Sequence, residues 1–354
     1  MAHRFSDRFS IAGRAVGAGE PCYVIAEAGA NHNRDRDLAH RLIDVAAQAG
    51  ADAVKFQIYS GRALYSSKTP GFQYLRDGGE DRPAHELLED VALPRTWIPD
   101  LIAHARERSI ACFATPFDSD AVAELAAAEV PALKIASFEL VDLELIACAA
   151  ATGLPLILSC GMATLGEIEE ALDAVAGAGG REVALLRCAS LYPSPPEIMN
   201  LRAMSTMRHA FGVPVGLSDH TTGIAVPLGA RGMGMEMLEK HFTTDRTLPG
   251  PDHPFAIEPD ELVALVAGVR AVEQALGTGR LEGPSELEAQ EMYRLARRSL
   301  IAARDIPQDA VITREDLVVK RPGYGIKPRE IERVIGRRAR VAIEADDIIT
   351  WDMV

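Results

Sequence analysis

The chain is predicted to be an α/β protein whose main part is a closed (β/α)8 TIM barrel, and three observations predict it. First, short apolar, β-prone runs recur at residues 23–29, 53–59, 111–117, 132–137, 156–161, 184–190, 214–220 and 237–242. Second, helix-like segments with apolar residues three and four apart lie between most of them, at 38–49, 95–108, 120–128, 143–152, 165–176 and 201–211. Eight strands alternating with helices make a parallel sheet that closes on itself. Third, an open doubly wound sheet would need a Gly-rich turn after its first strand, and the turn here reads EAGANHN.

The elements follow in order. Residues 9–11 and 14–16, separated by Ala-Gly, read as a two-stranded opening piece. The connection 60–94 is long for a βα loop and rich in Gly, Tyr, Asp and Pro, which suggests a substrate lid. A last barrel helix is expected over 259–276, opened by Glu-Pro-Asp-Glu and closed by Gly277. The division expected is a barrel domain over 1–277, a partly helical linker over 278–298 and a small domain over 299–354. That tail has strand-like runs at 300–303, 318–320, 338–342 and 348–351, broken by Pro and Gly. A piece of this size is near the lower limit for independent folding, so it should lean on the barrel or on a partner subunit.

Composition narrows the function. With 354 residues, 48% apolar and 25% charged, the chain can bury a large core. A formal charge of -14 argues against a nucleic-acid binder, which needs a basic face, but leaves room for a local Lys/Arg pocket holding an anion. The opening MAHRFSDRFS lacks the apolar core of a signal peptide, and no apolar run is long enough to cross a bilayer. A cytoplasmic protein is expected. Five cysteines without C-x-x-C spacing (Cys22, Cys112, Cys148, Cys160 and Cys188) read as buried free thiols.

Polar groups gather where the apolar runs end, which in a barrel is the rim that carries the chemistry. The ends hold Glu27 with Asn31 and His32; Lys55 and Gln57; Thr115; Lys134, Ser137 and Glu139; Ser159 before Gly161; Ser190 and Tyr192; Ser218, Asp219 and His220; and Glu239, Lys240 and His241. In the last strand a period of two puts Glu239 and His241 on one face and Lys240 on the other. Lys55 and Lys134, each bracketed by apolar neighbours, make an anion cage with the hydroxyls of Thr115, Ser137, Ser159 and Ser218 and the amides near Gly161.

His220 and His241 on neighbouring strand ends suit a divalent ion acting as a Lewis acid on a carbonyl, although their spacing serves two core histidines equally well. Glu27, Glu239 and Asp252 could position water, hydroxyls or the metal, or pair with a lysine. Lys134 also fits a Schiff-base aldolase, whose lysine must be desolvated to attack a carbonyl.

The chain resembles the sialic acid synthase family, the phosphoenolpyruvate-dependent synthases of nine-carbon keto sugar acids. The motifs are IAEAGANHN (25–33), ADAVKFQ (51–57), FATPFD (113–118), LKIASFEL (133–140), LSCGMAT (158–164), YPSP (192–195), VGLSDHTTG (215–223), EKHF (239–242) and LPGPDH (248–253). RPGYGI (321–326) resembles the centre of that family's antifreeze-like (SAF, β-clip) domain.

The resemblance implies a transferase joining phosphoenolpyruvate to an open-chain N-acetylated hexosamine, with C–O cleavage. It implies phosphoenolpyruvate binding by Lys55, Thr115, Lys134, Ser137, Ser159 and Ser218, and sugar binding by Gln57, Tyr192 and Asp252. Glu27, Glu239, His220 and His241 would be catalytic. His220 and His241 would hold Mn2+, or Mg2+ in its place. A homodimer is implied in which Arg321 of one small domain reaches the partner's barrel.

Ser190, two residues before the tyrosine, and RPGYGI lean toward pseudaminate-type members, whereas LPGPDH leans toward neuraminate- or legionaminate-type ones. The expected product is N-acetylneuraminate-type, with pseudaminate and legionaminate as alternatives. A glycan- or ice-binding reading of the tail is set aside because 321–340 is highly charged.

Overall fold

The structure, a computed structural model, describes residues 5–71 and 82–354. The chain divides into two compact units, Met1–Gly277 and Thr278–Val354. Among the described residues of the first, eight parallel strands close into a barrel: β3 (Tyr23–Gly29), β4 (Ala53–Ile58), β5 (Ala111–Pro116), β6 (Leu133–Ile135), β7 (Leu156–Ser159), β8 (Val183–Cys188), β9 (Val215–Asp219) and β10 (Met237–His241). β10 pairs with β3 to complete the ring. The expected barrel is borne out.

These strands are apolar almost throughout because the barrel interior covers one face and the helices the other. The hairpin β1 (Arg8–Ile11) and β2 (Arg14–Gly17) turns at Ala12 and Gly13, both with positive φ, as the tightest hairpin turns require.

The helices start on side chains supplied by the βα loops. Asp35 accepts from the backbone N–H groups of Asp37 and Leu38 to start Arg36–Gln48, and Asp118 accepts from that of Ala121 to start Ser119–Ala127. Thr164 and Glu167 form a reciprocal capping box before Leu165–Gly177. The helix expected over 95–108 is instead a 3-10 turn, Arg95–Trp97, followed by the α-helix Ile98–Glu107. Pro99 decides this, since a proline is tolerated in an α-helix only within the first turn.

The long connection after β4 contains the short helices Gly61–Leu64 and Ala84–Val91, and the middle of the expected lid, 72–81, lies outside the described residues. The helix Pro259–Leu276 has the bounds its sequence suggests. All five cysteines are free, but Cys148, on the helix Leu143–Ala151, is only half-buried where it packs against the core. Among the described residues no helix is long and apolar enough to cross a membrane.

In the second unit the residues expected as a linker form the short helices Glu286–Gln290 and Met292–Ala296. β11 (Ser299–Ala302) pairs antiparallel with β12 (Leu317–Lys320) over a small core of Leu300, Ile312, Leu317, Val334, Ile343 and Ile349. The runs expected as strands at 338–342 and 348–351 make only single bridges, Val311 to Arg338 and Ile301 to Ile348. Turns break the pairing there before a ladder can extend.

Candidate active site

The barrel register assembles the site. Glu27 lies opposite Lys55 on the neighbouring strand, Gln57 opposite Thr115, Glu239 opposite Ser218, and His241 opposite Glu27. Lys55 and Lys134 are both about 2% exposed, which rules out the solvated surface lysine. Lys55 Nζ lies 2.7 Å from Glu27 Oε2 and 3.7 Å from Glu239 Oε2, and donates to Thr115 Oγ1 at 2.9 Å. Lys134 Nζ lies 3.8 Å from Glu239 Oε1 and donates to the Ile135 carbonyl at 3.0 Å. Two ammonium groups thus face two carboxylates inside the ring.

Burial sets the protonation of this quartet. It raises the Glu27 carboxyl to about 7, against the pull of Lys55. For Glu239 burial acts in the same direction, but Lys134 and Lys55 outweigh it and hold its carboxyl below the usual range. Burial pushes Lys134 down from the ordinary lysine value, while the two carboxylates overcome it at Lys55 and push that group up. One carboxyl is therefore poised to exchange a proton near neutrality beside a firmly cationic lysine.

The hydroxyls converge next to this quartet. Ser218 Oγ donates to Glu239 Oε1 at 3.0 Å, and Ser137 Oγ accepts from the Gly161 N–H at 2.9 Å. A Cβ on residue 161 would lie 2.4 Å from Ser190 Oγ and 2.8 Å from Ser137 Oγ, so glycine is required for the three groups to meet. Ser159 Oγ and Ser190 Oγ are buried without a hydrogen-bond partner. Buried hydroxyls left open beside lysines are what an anionic ligand would satisfy. Ser190 received no binding role from its sequence, where it served only to mark a member type; its signal was its place at the end of the 184–190 run, two residues before Tyr192.

His220 and His241 stand at the same rim with ring centroids 5.4 Å apart. His220 Nδ1 faces the Ala189 carbonyl at 2.7 Å, which fixes the ring. Burial first, then His220 and the nearby lysines, drive His241 well below the ordinary imidazole value and keep it neutral. His241 Nδ1 is buried without a hydrogen-bond partner, 3.8 Å from Asp252 Oδ2. An uncharged imidazole with an orphaned nitrogen, beside a second one oriented by a carbonyl, fits a metal's donor set. Among the described residues no group of three or more His, Cys, Asp or Glu side chains could hold an ion alone. The protein therefore offers an open pair and no closed cage.

The sugar-side candidates fall around a cavity of about 390 Å³ lined by Gln57, Ser190, Tyr192, His241 and Asp252 on its polar side. Gln57 Nε2 donates to Glu27 Oε1 at 2.8 Å. Asp252 Oδ2 accepts from the Ala30 N–H at 3.1 Å. The Tyr192 ring centroid lies 4.3 Å from that of His220. Leu64, Phe117, Phe138 and Leu191, with the rings of Tyr59 and Tyr65, supply much of its apolar lining.

Arg321 belongs to the second unit, where it is exposed. Three rim candidates are committed elsewhere. Asp219 is turned from the site and paired with Lys240, Asn31 Nδ2 donates to the Phe242 carbonyl, and His32 packs against Phe56 and Trp97.

A closed parallel barrel with an acid–base quartet, open hydroxyls and two imidazoles at its carboxyl rim defines the class: a TIM-barrel enzyme, here followed by a second small unit. A model of the NeuB family matches residues 42–281, and one of the SAF domain matches residues 297–354. The chain is 38% identical to an N,N'-diacetyllegionaminic acid synthase of Legionella pneumophila over 95% of both chains. It is 33% identical to a pseudaminic acid synthase of Helicobacter pylori, over 94% of this chain and 98% of that one.

Among solved structures, an N-acetylneuraminic acid synthetase of Leptospira borgpetersenii matches with a TM-score of 0.72 and 35% identity. That match covers 82% of this chain and 97% of the other. The chain belongs to the NeuB family. It is accordingly an enzyme, a phosphoenolpyruvate-utilising transferase with a C-terminal SAF domain.

Proposed function

We propose that this chain is a nonulosonic acid synthase, joining phosphoenolpyruvate to the aldehyde of an open-chain N-acylated hexosamine. One observation carries the reading: the carboxyl ends of the barrel strands hold the buried Lys55 and Lys134, the unpartnered hydroxyls of Ser159 and Ser190, and the paired rings of His220 and His241. Lysines and hydroxyls would hold the phosphate and carboxylate of phosphoenolpyruvate, together with Thr115, Ser137 and Ser218. The methylene carbon attacks the aldehyde carbon and forms the new C–C bond, while the carbonyl pair moves to the aldehyde oxygen, which takes a proton from water and becomes a hydroxyl. Water then adds at the former enol-ether carbon and gives up a proton to Glu27, whose carboxyl is raised to about 7 for that exchange. Phosphate leaves with its bridging oxygen, and a 2-keto sugar acid remains.

His220 and His241 would hold a divalent ion, Mn2+ or Mg2+, which supplies charge to polarise the aldehyde oxygen. Glu239, tied to Ser218 and flanked by both lysines, keeps the cage in place. Gln57, Tyr192 and Asp252 would meet the acceptor's hydroxyls.

The apolar wall of the cavity supports an acceptor carrying acyl methyl groups and missing hydroxyls, a diacetamido-trideoxyhexose above N-acetylmannosamine. A sugar hydroxyl set against Leu64, Phe117 or Phe138 would lose its water without a partner.

A homodimer with exchanged small domains, placing Arg321 at the partner's acceptor site, is the assembly we infer. Its support is the exposed apolar set Phe138, Val141, Met162 and Leu191 on the connections after β6, β7 and β8, with Leu165 at the first turn of the helix Leu165–Gly177, a surface that calls for a covering partner.

Phosphate release from phosphoenolpyruvate is the test, run with N-acetylmannosamine and with the diacetamido-trideoxyhexoses. Release with at least one acceptor is expected, and an 18O label in the bridging oxygen should appear in the phosphate. No release with any of them would overturn the reading. Borohydride trapping of a substrate adduct on Lys134 would instead establish imine chemistry, for which the lowered lysine is also suited.

A further inference from the structure

The pleat that aims His220 and His241 into the barrel mouth sends the residue before each of them the other way. Asp219 and Lys240 face each other across the β9–β10 ladder, and both are buried. Lys240 Nζ donates to Asp219 Oδ2 at 2.6 Å and also to the Thr221 carbonyl. Asp219 Oδ1 accepts from the Thr221 N–H at 3.2 Å, and the Thr221 hydroxyl donates to the same oxygen at 2.9 Å. The backbone from 219 to 221, which carries His220, is therefore fastened to the strand that carries His241.

Stability does not account for this arrangement. Taking a carboxylate and an ammonium out of water costs about as much as their attraction returns, and a well-packed apolar pair in the same place is often as stable or more so. A buried pair does supply one thing an apolar pair lacks: directional bonds that fix two strand ends in one relation. That relation is what a two-imidazole site needs: the Ala189 carbonyl orients the His220 ring, the Tyr192 ring lies against both imidazoles, and the buried pair adds a directional link between the strand ends that carry them.

We propose that Asp219, Lys240 and Thr221 form a positioning unit that sets the separation and orientation of His220 and His241, and through them the affinity for the divalent ion. The inference rests on the reading that these two imidazoles hold that ion. None of the three residues needs to touch substrate; they act through the histidines beside them.

The double variant Asp219→Leu/Lys240→Met removes both charges. Its melting temperature should fall modestly while the chain stays folded, because the buried Thr221 N–H, hydroxyl and carbonyl lose their partners. Its Mn2+ affinity, titrated calorimetrically on the full chain without substrates, should fall about tenfold or more, the loss typical when outer partners of metal-binding histidines are removed. Thr221→Val keeps the ion pair and loses the hydroxyl bonds; it should lose affinity several-fold, and it carries the test alone if the double variant does not fold. Wild-type Mn2+ affinity in either folded variant would overturn the proposal. A wild-type chain that binds neither Mn2+ nor Mg2+ would sink the metal reading and this inference with it, a different result from unchanged affinity in the variants.

Discussion

Glu27 shows how burial makes chemistry out of an ordinary side chain. It sits between Lys55 Nζ and Gln57 Nε2, and burial raises its carboxyl to about 7. As the group that takes the water's proton it must be ionised, so kcat/KM should rise as pH climbs toward about 7 and level off above it. Glu27→Gln keeps the shape and cannot take the proton. It should lose turnover by roughly two to four orders of magnitude and show no acid limb in its residual rate. A Glu27→Gln profile with the wild-type limb would assign that limb elsewhere.

At this scale the sequence was partly legible: the period of two separated Lys240 from Glu239 and His241. It could not give Ser190 a role, because an open hydroxyl is recognised only once its neighbours are known.

Elements matter here as holders of loop ends. Asp118 caps the helix Ser119–Ala127 just past β5, the strand that presents Thr115, and also pairs with Arg95 Nη2 at 2.5 Å. Asp118→Ala should cost about 1 kcal/mol or somewhat more, read as a lower midpoint in urea unfolding. Asp118→Asn, which keeps an oxygen for the Ala121 N–H, should cost less. Equal losses would assign the effect to the ion pair and not to the cap.

Element types were read from the apolar period, but their ends depended on details the period does not carry. β6 stops at Ile135 because Ser137–Glu139 winds into a 3-10 turn. That turn brings Ser137 Oγ to the Gly161 N–H. In the tail, the runs at 338–342 and 348–351 have strand composition, yet each finds a single bridge instead of a ladder.

On the scale of the whole molecule, the net charge of -14 sits beside two lysines, faced by Glu27 and Glu239, that the barrel conceals. Lys55 and Lys134 are too buried to act on the outer surface, so their influence is local to the rim. The exchanged-cap dimer predicts complementation between Glu27→Gln and Arg321→Ala. Each variant alone should be impaired. Co-expressed at equal amounts, they should recover up to about a quarter of wild-type activity, since half the dimers are mixed and each mixed dimer holds one complete site. No recovery would mean that each chain caps its own barrel or that Arg321 takes no part.

What the sequence determined by itself was the alternation of strands and helices, and with it the barrel, because side-chain period and apolar content are local properties of the chain. It also determined the kinds of group available at the strand ends, and the motifs pointed to the family. Only the tertiary structure decided which of those groups meet. It put Lys55 against Glu27, left the Ser159 and Ser190 hydroxyls open, turned Asp219 to Lys240 and set His220 beside His241. The physical reason is that a ligand pocket is made of distances across the ring, and those are fixed by barrel closure and register, which no single strand encodes.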